Sequence, residues 1–147
     1  MAFGNNIPIL ILDDNTELLD IVQLEFKRQK VENFMVFHDE DKFIEALGEG
    51  PSICIIDHWL TKRTGLDILK IVRAKNEYSF FIALSDLADI DIRTEYLNND
   101  CNRWVEKSRD LDFKILSGYL SVGLEKINRF LGLLNQLEIG KRILTQS

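Results

Sequence analysis

Cysteine is scarce: Cys54 and Cys101 are the only two in 147 residues. Two thiols so spaced make neither a disulfide framework nor a metal motif. Cys54 sits in an apolar run, where a free thiol behaves as a small hydrophobe. A reducing, cytoplasmic setting is therefore expected. Long apolar runs are missing too. No stretch approaches the ~20 residues that span a bilayer, and Met1 to Pro8 lacks the basic, apolar pattern of a leader. No Gly-rich turn follows the first apolar run, which counts against a dinucleotide or flavin site. Repeats, low-complexity tracts and linkers are absent, so a single domain over residues 1–147 is expected. Positive charge is in deficit, with a formal net charge of -6. Such a balance disfavours nucleic acid and anionic membranes as partners. The deficit is uneven: residues 111–147 hold five basic and three acidic side chains, so the first 110 carry -8.

What is present is 46% hydrophobic and 29% charged residues, enough for an ordinary soluble core. Short apolar runs alternate with helical patterns. Ile7–Leu12, Phe34–Phe37, Ile53–Ile56 and Phe80–Leu84 read as strands buried on both faces, and Arg103–Glu106 as a shorter fifth. Between them, residues 15–29, 39–48, 65–75 and 87–97 carry helical spacing, the last most weakly because of its Asp and β-branched residues. This alternation predicts an α/β fold, a doubly wound five-stranded parallel sheet of flavodoxin-like order 2-1-3-4-5. Residues 111–137 read as one extended C-terminal helix, in which Gly118, Gly123 and Gly132 are expected to weaken or bend the rod.

Polar residues fall at the strand ends. Asp13 and Asp14 follow the first run, Asp57 the third, Ser85 the fourth and Lys107 the fifth. In a doubly wound sheet these ends share one rim. Three carboxylates there repel one another unless a cation is present, and an oxygen-only donor set suits Mg²⁺. Lys107 and the Ser85 hydroxyl would face an anion from the other side, which is an arrangement for phosphoryl transfer.

With these residues in this order, and with Gly65 eight positions after Asp57, the chain resembles the receiver domain of bacterial two-component response regulators over roughly residues 7–125. The remainder, 126–147, reads as a helical extension. The resemblance implies that Asp57 accepts a phosphoryl group from a histidine kinase or phosphotransfer protein. It implies Mg²⁺ held by Asp13, Asp14, Asp57 and the carbonyl of Trp59, with Ser85 and Lys107 on phosphoryl oxygens. Trp104, three before the lysine, matches the aromatic switch position that moves with Ser85. Output would pass to an unknown downstream protein, or through a homodimer made by the C-terminal helix. The chain would turn over no external substrate; its chemistry would be limited to its own phosphorylation and dephosphorylation.

Several positions depart from the family pattern. Thr61 and Ser108 replace customary prolines, so a trans Lys107–Ser108 bond is expected. Asp86 stands where a small residue is usual, and apolar Trp59 and Leu87 occupy positions that tune phosphoryl loss. These departures motivate a rival reading, a phosphorylation-independent protein-binding pseudo-receiver. A haloacid-dehalogenase-like hydrolase is the weaker rival, because Trp59 stands where that family needs a second Asp. Each residue also has a plainer role: Asp14 (with Glu17), Ser85 or Asp86 as helix caps, His58 as a partly exposed structural side chain, Asp89 and Asp91 as a solvated face.

Overall fold

The computed structural model of the chain describes residues 7–86, 89–107 and 111–145, with side chains as far as Arg142. In chain order the elements are β1 (Ile9–Leu12), α1 (Thr16–Arg28), β2 (Phe34–Phe37), α2 (Glu40–Ala46), β3 (Ile53–Asp57), α3 (Gly65–Lys75), β4 (Phe80–Ser85), α4 (Ile90–Asn98), β5 (Arg103–Glu106) and α5 (Phe113–Thr145). The five strands pair in parallel in the order β2-β1-β3-β4-β5, as the apolar runs predict.

Strand periodicity divides the core into two layers. Ile9, Ile11, Ile53, Ile55, Phe80, Ile82 and Leu84 face α1 and α5, where Val22, Phe26, Leu116 and Leu120 meet them. Leu10, Leu12, Cys54, Ile56, Phe81 and Ala83 face the other way, onto Phe43 of α2, Leu69 of α3 and Tyr96 of α4. The register aligns the carboxyl ends: Leu12 stands beside Ile56, Asp57 beside Leu84, and Ser85 beside Glu106. Residues just beyond those ends share one rim.

Two helix starts differ from the sequence reading. Asn15, not Asp14, caps α1 by accepting the Leu18 N–H. Asp89, not Ser85 or Asp86, caps α4 by accepting the N–H groups of Asp91 and Ile92. Asp89 and Asp91 are both exposed, as read, and Asp89 serves as the cap besides. Leu87 and Ser108, with the Lys107–Ser108 bond, lie outside the described residues.

The last helix is extended, as the sequence pattern predicts, and is continuous over 33 residues, about 50 Å at the α-helical rise. Gly123 does not break it. A Cβ there would lie 2.7 Å from the Phe80 ring, so its absence lets α5 settle on the sheet. The stripe of Leu116, Leu120, Leu124 and Ile127 is buried. Past Ile127 the apolar spacing continues, but the sheet does not, leaving Leu133 and Leu137 60% and 62% exposed.

Candidate functional site

The chain leaving β1 delivers two carboxylates with different surroundings. Asp13 is buried, anchored by its own N–H on the Phe37 carbonyl at 3.1 Å. Its Oδ1 accepts the Asn15 N–H at 2.8 Å, and its Oδ2 lies 2.5 Å from the Lys107 ammonium. Asp57, the last residue of β3, is also buried, and its Oδ1 lies 3.4 Å from the same ammonium. Lys107 follows β5 and is held there by its N–H on the Ser85 carbonyl at 2.9 Å. Ser85 ends β4 and is fully buried. The rim thus brings Asp13, Asp57, Lys107 and Ser85 together. Lys107 is no solvated surface charge.

Burial first, and the Asp13 charge second, push the Asp57 carboxyl up to about 6; Lys107 and the His58 N–H pull the other way without cancelling the rise. Burial works against the Lys107 ammonium, but Asp13 and Asp57 outweigh it and raise its pKa. The Asp57 shift has a definite sign in stability. Between about pH 4 and pH 6 the folded chain holds a proton on Asp57 that the unfolded chain has released, so stability falls as pH rises through that window. Thermal melts in EDTA are expected to show this loss, and the difference between wild type and Asp57→Asn isolates it from other titrations.

Asp14 stands apart from this cluster. It is exposed, and its Oδ2 accepts the Thr61 hydroxyl at 2.8 Å. Thr61 rides on a braced β3–α3 loop. The Lys62 N–H donates to Glu40 Oε2 at 2.7 Å, and the Lys62 ammonium lies 2.6 Å from Asp41. Thr64 and Asp67 close a reciprocal cap at the start of α3. Trp59, in the same loop, bridges to Thr64 and is 54% exposed. Asp86 is exposed as well.

As donors, Asp13, Asp14 and Asp57 fit a hard divalent cation: all are oxygen ligands, and Lys107 alone does not balance three carboxylates. Among the described residues, however, no three acidic, His or Cys groups are gathered closely enough to hold a metal ion in this arrangement. Asp14 is the donor that stands off, tied to Thr61.

The sequence reading missed one contact. His58 is buried rather than partly exposed, and its Nδ1 lies 2.6 Å from the Tyr96 hydroxyl. Burial lowers the pKa of His58. Tyr96 packs edge-on against Trp104 at 5.1 Å between ring centres, and the Arg93 guanidinium lies 5.7 Å above the Trp104 ring. The two partners of the hydrogen bond are 38 positions apart, so nothing in the local pattern signals it.

Residues 9–114 match the family described as the response regulator receiver domain. Among solved structures, the signal receiver domain of an HD domain-containing protein from Pseudomonas fluorescens Pf-5 is similar at 17% identity and TM-score 0.77, covering 88% of this chain and 94% of that one. A two-component response regulator from Clostridium difficile is similar at 15% identity and TM-score 0.73, covering 84% and 99%. A Vibrio cholerae chemotaxis protein is similar at 14% identity and TM-score 0.62, covering 86% and 96%.

Proposed function

Since the chain belongs to the response regulator receiver domain family of two-component signalling, we propose that it is a phosphorylation-controlled switch whose acceptor is Asp57. The observation that carries this reading is the shared ammonium: Lys107 lies between two buried carboxylates at the strand ends. A histidine kinase or phosphotransfer protein would supply phosphohistidine. An Asp57 carboxylate oxygen attacks phosphorus in line; the P–N bond breaks, and its electron pair leaves with the imidazole. Lys107 offsets charge on the phosphoryl oxygens, and the Ser85 hydroxyl donates to one of them.

Receiver domains generally bind Mg²⁺ at their acidic pocket; here Asp13, Asp14, Asp57 and the Trp59 carbonyl are the proposed ligands. What Mg²⁺ supplies when bound is charge neutralisation at the transferred group. The test is incubation with acetyl phosphate and Mg²⁺, read by intact mass. Gain of one phosphoryl group, blocked by EDTA, supports the reading. No gain favours the rival pseudo-receiver, which the Thr61–Asp14 bond supports by keeping one carboxylate away from the pair.

The proposed unit is a single receiver domain over residues 1–147, cytoplasmic, with Cys54 and Cys101 both free thiols. Among the described residues no helix is long and apolar enough to cross a membrane. The downstream partner is another protein or a second copy of the chain. The projecting end of α5 supports the second copy: Leu133, Leu134 and Leu137 share one side of the helix and are 60%, 43% and 62% exposed, an apolar face of roughly 300 Å², within the range of the largest patches that a monomer normally leaves bare. Two such faces packed together supply the apolar centre of an ordinary dimer interface. Sedimentation is expected to show a dimer at micromolar concentration, weakened about tenfold or more by the Leu133→Glu, Leu137→Glu double variant. A wild-type monomer under those conditions would count against self-association.

A further inference from the structure

Helix α4 is lightly held: Ile92 is half-buried against the core that Tyr96 enters. Its outward side chains include Ile90 and Leu97, 79% and 65% exposed. Tyr96 is its one buried residue. The Tyr96 hydroxyl does not end in the core. It reaches across to His58, the residue after Asp57, and both partners are almost wholly buried. Gly65 marks how tight this junction is: a Cβ there would lie 2.5 Å from both the Asp57 carbonyl and the Tyr96 hydroxyl. The same tyrosine packs against Trp104, and Arg93, one turn earlier on α4, lies over that ring.

We propose that the His58–Tyr96 hydrogen bond is the mechanical link by which the state of Asp57 sets the position of α4, with Tyr96 a positioning residue acting through His58. The inference rests on Asp57 being the phosphoryl acceptor. The physical reason is leverage. His58 is fixed on both sides, by its N–H on Leu84 O at 3.1 Å and by its carbonyl accepting the Gly65 N–H at 2.8 Å. A change in the β3–α3 turn when charge is added to Asp57 must therefore move the His58 ring or strain those bonds. The ring is bonded to the only buried anchor of α4. This route runs beneath the site, through groups other than the Ser85 hydroxyl, and it carries Trp104 along because Tyr96 and Arg93 both grip that ring.

The test uses the full chain with Mg²⁺ and beryllofluoride, a phosphoryl mimic, and reads hydrogen exchange of the α4 amides. In wild type, exchange over residues 90–98 is expected to change about fivefold or more on adding the mimic, since α4 is weakly anchored. In Tyr96→Phe the mimic is expected to bind still, as read by tryptophan fluorescence, while the α4 response falls to less than about twofold. His58→Phe removes the same bond from the other end, and the double variant is expected to match either single one. Melting curves check that each variant folds. A full α4 response in both single variants overturns the proposal, as does a wild-type α4 indifferent to a mimic that binds. Wild type that binds no mimic, or binds it equally as Asp57→Asn, instead overturns the acceptor assignment and the proposal with it.

Discussion

Asp57→Asn is expected to take up no phosphoryl group from acetyl phosphate and, in the same preparation, to melt at a higher temperature in EDTA than wild type. Both effects come from one carboxylate. An amide cannot attack phosphorus, so the acceptor chemistry ends outright. The stability gain follows from the raised carboxyl: burial and Asp13 push Asp57 to about 6 against an ordinary 3.8. In full, that displacement corresponds to roughly 3 kcal/mol. The substitution also deprives Lys107 of one of its two carboxylate partners, which offsets part of the gain. A net of about 1–2 kcal/mol at pH 7 is expected, shrinking as pH falls below about 6, where wild-type Asp57 protonates. A wild type and variant that melt alike in EDTA at pH 7 would contradict the electrostatic account. A variant that still gains mass would move the acceptor elsewhere.

Much of this was legible in the sequence because a buried parallel strand has to be apolar on both faces. Ile53–Ile56 and Phe80–Leu84 could hardly be anything else, and the polar residue ending each run then fell on the rim by topology alone. Caps were less legible. Asp13, Asp14 and Asn15 are all competent; Asp13 is buried and takes the Asn15 N–H, which leaves Asn15 to cap α1. The three-and-four spacing of α5 says that an apolar stripe runs on beyond what the core needs, not where the sheet beneath it stops, so the extension was legible but its start after Ile127 came only from the packing. Whether Asp14 joins the pair at Asp13 and Asp57 depends on a single hydroxyl from Thr61, 47 positions away, for which the sequence carries no local sign.

Gly65→Ala is the second substitution expected to have a large effect, and the opposite sign of two tendencies makes it informative. Gly65 opens α3 and does not have positive φ. Helix propensity alone would favour alanine there by up to about 1 kcal/mol. The added Cβ, however, would lie 2.5 Å from the Asp57 carbonyl, 2.5 Å from the Tyr96 hydroxyl and 3.0 Å from the His58 Cα. Two of these are backbone atoms of β3 and its turn, which cannot rotate away. Overpacking of this kind costs about 1–3 kcal/mol, more where hydrogen bonds must also yield, and here the Gly65 N–H bond to His58 and the His58–Tyr96 bond are both at risk. A net loss of about 2–3 kcal/mol is expected, readable by urea denaturation. Gly118→Ala, inside α5 with nothing within 4 Å of the new Cβ, is the matched control and is expected to stabilise by about 0.5–1 kcal/mol. If both glycines respond to alanine with the same sign, the tight junction between the acceptor strand and α4 does not exist in solution.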